Sequence, residues 1–249
     1  MSAQHYWDRF SKANRTYQRI SKCQPFSWRD RHLRLHREMA AGQHTLVRTG
    51  ASRDTGQVFH VLTDADTGAI CAAAIDTGDG SIEPTTGRGL TEKLPDVALP
   101  RSLPGGPLDP ADPNEVLGRP HAMLVQLGSI GRHDCDHNGV LKESGYVLPC
   151  NLAANILWEK VGYGFRARRE KQLGRAALEV KITRHATVRR GTAISVLSWI
   201  VPLSDKTLIL RHQILDGADG TVLFSGAVTA LIMGLADRKP RILPPALQP

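Results

Sequence analysis

A block of fifteen residues occurs twice in this chain, and no other feature restricts its fold as much. Residues 60–74 read HVLTDADTGAICAAA and residues 212–226 read HQILDGADGTVLFSG. Laid together without a gap, His60 meets His212, Asp64 meets Asp216 and Gly68 meets Gly220. Each block is an apolar stretch, a turn rich in Asp and Gly, and a second apolar stretch, which is the pattern of strand, turn and strand. Upstream, HREMAAGQ at 36–43 aligns with HATVRRGT at 185–192, matching His36 to His185 and Gly42 to Gly191. The separation between the blocks differs by three residues between the halves, as one hairpin loop of altered length would produce. A chain of 249 residues has room for two copies of one unit, each with its own core.

Each half reads as a helix followed by antiparallel strands. In the second half the helix falls at 151–161, where Leu152, Ile156, Leu157 and Val161 have helical spacing. Strands follow at 177–188, 192–201, 207–215 and 221–235, with turn chemistry at 190–191, 204–205 and 218–220. The first half has a helix near 4–20 and strands near 31–39, 45–51, 58–63 and 69–76. Between Asp76 and Pro120 lie eight of the fifteen prolines and no sustained apolar period. A connector this long argues for two joined units rather than one. The expected organisation is an N-terminal unit at 1–77, a Pro/Gly-rich linker at 78–120 and a C-terminal unit at 121–249. Aligning the halves sets Met1 near Cys150, so the first half has no counterpart of the apolar strand at 121–130 or of the turn after it.

That unmatched turn, RHDCDHNGVLKESGY at 132–146, packs two carboxylates, two imidazoles and a thiol into its run HDCDH at 133–137, ahead of a helix. Asp136 has two readings: a catalytic carboxylate, or a cap that accepts backbone N–H groups of the turn it opens. Asp134 reads as structural, since alternation sets it on the same face and one carboxylate suffices. His133 and His137 read either as partners of Asp136 and of a substrate or as exposed turn residues. Tyr146 reads as core, with a hydroxyl that needs a partner. Adjacent residues on an extended segment point to opposite faces, so this cluster does not converge on a metal, and none is expected. His36, His60, His185 and His212 recur in both halves, which strand packing explains. With no glycine-rich phosphate loop and no Gly-x-Ser-x-Gly elbow, no cofactor is expected.

The formal charge of +8 and pI near 9.6 favour anionic partners. The densest basic run is Arg166, Arg168, Arg169, Lys171 and Arg175, joined by Arg189 and Arg190, and it reads either as a solvated face or as an anion patch. Nothing resembles a helix-turn-helix, a zinc finger or an aromatic RNA-binding strand, so nucleic acid is not the expected partner. No apolar run approaches the roughly 20 residues that span a bilayer. The opening MSAQHYWDRFSKANR lacks a signal-peptide core, and the four cysteines form no C-x-x-C pair. A cytoplasmic location is expected.

The run HDCDHNGV at 133–140, with Tyr146 ten residues after Asp136 and a helix ending at Gly162, resembles the signature of hotdog-fold thioesterases of the 4-hydroxybenzoyl-CoA type. Those acyl-CoA thioesterases carry an Asp, two residues, a Gly, a small apolar residue, and a Tyr near the helix start. The resemblance covers 121–235 and reaches the first half through the repeat, so the whole chain is similar to a double-hotdog thioesterase. It implies an α+β fold of two units, each a long helix wrapped by an antiparallel sheet, and hydrolysis of an acyl-CoA to free acid and CoA. Asp136 would act as nucleophile, through an acyl anhydride, or as general base on water, with Glu143 and Tyr146 completing the catalytic set. Backbone N–H groups around Lys142 to Ser144 would hold the carbonyl oxygen. His137, Gly139 and Lys142 would contact substrate, and Arg168 and Arg169 would meet the coenzyme A phosphates.

The chain also departs from the pattern. Many double-hotdog relatives carry Gly-His-Met-Asn where this sequence has Gly139, Val140, Leu141 and Lys142. Pro149, one turn beyond Tyr146, either kinks the helix or marks its first turn. Two alternatives accompany the resemblance: a non-catalytic hotdog that binds acyl-CoA or a protein, and a hotdog enoyl-CoA hydratase or dehydratase. The second needs a His set against the acid, and His137 directly follows Asp136. A double unit is already a pseudo-dimer, and further pairing into a homo-oligomer stays open.

Overall fold

The computed structural model describes residues 3–21, 27–52, 55–79 and 93–248. Cys23 and residues 80–92 of the expected linker lie outside the described residues. The chain divides into two compact units, Met1–Pro107 with Glu179–Thr183, and Leu108–Leu178 with Arg184–Pro249. The mixed organisation of helices and antiparallel sheet expected from the sequence is observed.

The first unit holds α1 (Ala3–Ser21), β1 (Ser27–Leu35), β2 (Thr45–Ala51), β3 (Val58–Asp64) and β4 (Ile70–Asp79), with strand order β2-β3-β4-β1. The segment Glu179–Thr183 of β6 (Leu173–Arg184) pairs antiparallel with β1, from Asp30↔Thr183 to Arg34↔Glu179. Tyr6, Phe10, Asn14 and Tyr17 recur every three or four residues and, with Trp7 beside the first of them, form the buried face of α1. Trp7 and Phe10 are fully buried, which stabilises the unit by about 2 kcal/mol each. Every residue of β3 is buried because both of its faces are covered. His60 meets Phe10 of α1, while Phe59 and Val61 pack with Leu94 and Ala98 of the connector.

That connector is held down by charge as well as packing. The Glu179 carboxylate accepts the amides of Arg101 at 2.6 Å and of Ser102 and Leu103 at 3.1 Å, and Lys181 Nζ donates to the carbonyls of Pro104, at 2.8 Å, and Gly106. A proline-rich segment keeps few backbone donors, and Glu179 alone engages three of them. Burial would push this carboxyl up, but His32 and these amides hold it at about 2.

The second unit holds α2 (Pro113–Leu117), β5 (Met123–Ser129), α3 (Val147–Lys160), α4 (Phe165–Glu170), β7 (Ala193–Pro202), β8 (Thr207–Asp216) and β9 (Val222–Gly234), with strand order β6-β9-β8-β7-β5. Leu157 and Trp158 of α3 pack on Leu208, Leu210 and Ile232, and Leu243 and Leu247 complete that core. A second cluster joins Val116 of α2 to Leu197, Trp199 and Leu215. The Gln213 side chain fixes the approach by bonding both the amide and the carbonyl of Ala111, at 2.8 and 3.0 Å. In α3, Pro149 is the third residue, so its missing N–H falls among the first-turn donors that have no intrahelical acceptor. The helix begins four residues before the expected position and needs no kink.

The repeat extends to individual hydrogen bonds. Gly68 N bonds Asp64 O at 3.0 Å and Gly220 N bonds Asp216 O at 2.9 Å, with both glycines left-handed at φ 72° and 79°. Thr49 Oγ1 meets His60 Nδ1 at 2.8 Å, and Ser198 Oγ meets His212 Nδ1 at 2.8 Å. The next partner differs. His60 Nε2 faces Asp76 Oδ2 at 3.3 Å, and Asp76 takes a bidentate pair from Arg31, at 2.6 and 2.5 Å, with Arg31 stacked over Trp7 and Trp28. In the second half the aligned residue is Val228, and His212 Nε2 is buried with no partner among the described residues.

Candidate active site

After β5 the chain enters a short 3-10 turn, Arg132–Asp134, closed by Asp134 Oδ2 accepting the Gly131 amide at 3.0 Å. Cys135 and Leu141 then pair across a narrow loop, both buried. Burial pushes the Cys135 thiol up, and the flanking Asp134 and Asp136 add to it. Asp136 N donates to Val140 O at 2.8 Å, and Gly139 N to Asp136 O at 3.1 Å. The Asp136 side chain closes the same loop, its Oδ1 accepting the amides of Asn138 at 2.9 Å and Val140 at 3.0 Å. Gly139, at φ 73°, supplies the left-handed turn. Leu141 N to Val188 O and Arg190 N to Gly139 O, both 2.9 Å, seat the loop on the β6–β7 connection.

This loop and the turn it leads into hold six of the residues singled out in the sequence: Asp136, His137, Gly139, Lys142, Glu143 and Tyr146. Asp136 and His137 are exposed, and Asp136 Oδ2 has no hydrogen-bond partner among the described residues. Lys142 donates its amide to Asp134 O and its ammonium to His133 O, each at 2.8 Å, so its N–H is already engaged. Glu143 opens a second 3-10 turn, Glu143–Tyr146, that runs into α3. The Ser144 amide lies in that opening turn, where no acceptor exists within the helix. Tyr146 lies beneath the loop, fully buried, edge-on to Phe224 at 5.0 Å with the Arg184 guanidinium 5.8 Å from its ring. Burial raises its phenol pKa, opposed by Arg184.

Arg168 and Arg169 are elsewhere. They sit on α4, beyond the far end of α3, whose 14 residues span about 21 Å. A cavity of about 480 Å³ there is lined by Phe165, Arg166, Arg169, Glu170 and Gln172. Arg175 stacks over Trp158 at 5.6 Å and donates to Asn155 Oδ1 at 2.7 Å. Sequence reasoning did not single out Phe165 or Gln172, although an aromatic residue heading the basic run was the available signal. Leu148, Leu152 and Ile156, each 41 to 47% exposed, form an apolar stripe along α3 between its two ends. Among the described residues no group of three or more His, Cys, Asp or Glu side chains is placed to hold a metal ion, and no helix is long and apolar enough to cross a membrane.

Residues 130–249 match the Thioesterase-like superfamily. That stretch contains the Asp136 loop, α3, α4 and strands β6 to β9. The 12:0-ACP thioesterase from Umbellularia californica has a similar structure, with a TM-score of 0.63 at 11% identity, over 97% of this chain and 88% of that one. Its likeness establishes a shared fold through nearly the whole chain. Two bacterial structures are similar to about half of it: a DHNA-CoA thioesterase from Staphylococcus aureus (13% identity, 49% of this chain and 80% of that one, TM-score 0.45) and a 1,4-dihydroxy-2-naphthoyl-CoA thioesterase from Synechocystis (15%, 50% and 91%, 0.46). No curated protein sequence matches the chain.

Proposed function

We propose that this chain is a double-hotdog thioesterase that hydrolyses an acyl-coenzyme A to free acid and CoA at the Asp136 loop. The observation that carries the reading is the position of Asp136. Its carboxylate sits on the loop that leads into α3, inside the stretch that matches the Thioesterase-like superfamily. The paired Thr49–His60 and Ser198–His212 contacts support two copies of one unit.

Oδ1 holds the loop, which leaves Oδ2 for chemistry. As a general base, Oδ2 takes a proton from water as the oxygen attacks the thioester carbonyl, and returns it to the sulfur when the tetrahedral intermediate expels CoA. The alternative is direct attack by Oδ2 on the carbonyl carbon, which breaks the C–S bond and expels CoA as a thiolate that takes a proton from water, leaving an acyl anhydride that a second water then opens. Single turnover in ¹⁸O-water identifies an anhydride opened at the Asp136 carbonyl carbon, which alone leaves label in Asp136, and trapping the acyl-enzyme with hydroxylamine detects the anhydride whichever carbon water attacks. The Ser144 amide, at the positive end of α3, is the donor proposed for the carbonyl oxygen. His137, Gly139, Lys142 and Glu143 border the same loop, and Tyr146 acts from beneath it by fixing the helix start. The test is thiol release from a panel of short, medium, aromatic and polar acyl-CoAs, with Asp136→Asn as control. Release that Asp136→Asn abolishes supports the reading.

Lys142 favours a second reading, binding without turnover. Its ammonium is held by His133 O, at a position where many double-hotdog relatives carry Asn. Thermal stabilisation by acyl-CoA with no thiol release would select it.

A further inference from the structure

The edge that β2 turns away from β3 carries no strand among the described residues, although its counterpart in the second unit does. Two backbone contacts fix which β2 groups lie on that edge. Ala65 N donates to His44 O at 3.0 Å and Ser52 N donates to Gln57 O at 2.9 Å, so the even-numbered residues between them face β3. The N–H and C=O of Thr45, Val47 and Thr49 therefore point out of the sheet. Their side chains lie on the α1 side, where Arg9 donates to Thr45 Oγ1 and Thr49 meets His60. Leu46, 50% exposed, and Arg48 alternate with them on the other face.

The repeat shows what this edge lacks. The matched contacts Thr49–His60 and Ser198–His212 align β2 with β7, which sets Thr45, Val47 and Thr49 on Ile194, Val196 and Ser198. Ala193 O accepts Gly217 N at 2.8 Å, which turns the odd β7 residues to β8 and the even ones to β5. Ile194, Val196 and Ser198 accordingly meet Gly128, Val125 and Met123 of β5. The first half has no counterpart of β5, so the backbone pairing made in one unit is open in the other. The edge is also unguarded. Exposed edges usually carry a proline, a lysine or a bulge that keeps other chains off. TLVRTGA has none of these, and its seven pairs with β3 run without a register shift, whereas the edge strand β5 is broken between Gln126 and Gly128.

We propose that the β2 edge pairs with the same edge of a second copy of this chain, forming a two-fold dimer through an antiparallel β2–β2 ladder. Antiparallel pairing reproduces the β5–β7 arrangement, and an edge that meets itself closes at two copies. Centring the ladder on Val47 sets Thr45 against the partner's Thr49 and Leu46 against the partner's Arg48. β-Branched side chains then face one another, the exposed Leu46 lies beside an arginine stem, and no like charges meet. Centring it on Arg48 would instead oppose two guanidiniums.

Sedimentation velocity of the full chain over a dilution series tests the pairing. A dimer of twice 27.2 kDa is expected at roughly 100 μM. Val47→Pro removes an outward N–H and no bond to β3, and Leu46→Arg opposes guanidiniums at both ends of the ladder; each is expected to raise the dissociation constant at least about tenfold. Leu46→Arg/Arg48→Glu converts each repulsion into an opposite-charge pair and should restore the dimer. Melting curves establish that the variants fold, and Leu46→Arg alters only an exposed position. A monomeric parent, a dimer unaffected by Leu46→Arg or by a folded Val47→Pro, or a double variant that stays monomeric overturns the proposal. Amide hydrogen exchange reads the ladder itself: Thr45, Val47 and Thr49 should exchange at least about tenfold more slowly in the parent dimer than in Leu46→Arg. Equal exchange at these three amides places the dimer contact elsewhere and overturns the pairing.

Discussion

Asp136 Oδ1 accepts the amide of Val140 at 3.0 Å, so the residue proposed for catalysis also closes its own loop. The two roles fall on different oxygens and separate by substitution. Asp136→Asn keeps an acceptor at Oδ1 and is expected to unfold within about 0.5 kcal/mol of the parent, whereas Asp136→Ala loses both amide bonds and about 1 kcal/mol. Urea denaturation measures the difference, and equal stability of the two variants would contradict the capping role.

Arg31 and Asp76 are buried together with no exposed surface on either side chain. Removing one charge strands the other, so Asp76→Asn or Arg31→Met should each cost about 3 to 5 kcal/mol, while a paired apolar replacement should recover much of the loss. Calorimetric melting of the two single variants and the pair checks this. Additive losses would contradict the coupling.

Acid lability should arrive in two steps. Burial, then Arg211, lowers His212 to about 4, well below the 6.5 of an exposed imidazole. Its contribution is complete above about pH 6.5 and is lost as pH falls toward 4, on the order of 3 kcal/mol, because the unfolded chain binds the proton first. Burial would raise the Asp76 carboxyl, but Arg31 and His60 together hold it at about 2, so its contribution is complete above about pH 4 and is lost between there and 2. His212→Gln should flatten the decline between pH 6.5 and 4 and leave the lower step. A melting temperature that falls equally in both proteins across the upper window would count against a buried neutral His212.

The strands were legible because local patterns determine them. The expected strand at 45–51 has the bounds of β2, and the Asp64–Gly68 turn reverses the chain between β3 and β4. The start of α3 was less visible because Tyr146 occupies the capping position without a side-chain cap bond. Arg31 and Asp76 read as ordinary polar strand positions, since only the folded sheet brings together residues 45 apart. The Glu179 contacts with the connector span 76 to 78 residues and leave no local trace. Within the acidic loop, residue type left Asp136 open between a catalytic and a capping reading and only the resemblance favoured the first, while the commitment of its Oδ1 to the backbone required the geometry. Arg168 and Arg169 were legible as a basic run, and their placement about one α3 length from that loop was not.

Thioester hydrolysis at Asp136 is measured by following thiol release from the acyl-CoA panel with the parent chain and with Asp136→Asn. The parent chain is expected to turn over at least one acyl-CoA, and the variant to lose at least about a hundredfold with its fold intact. Release of no thiol from any acyl-CoA, or full activity in Asp136→Asn, would contradict it.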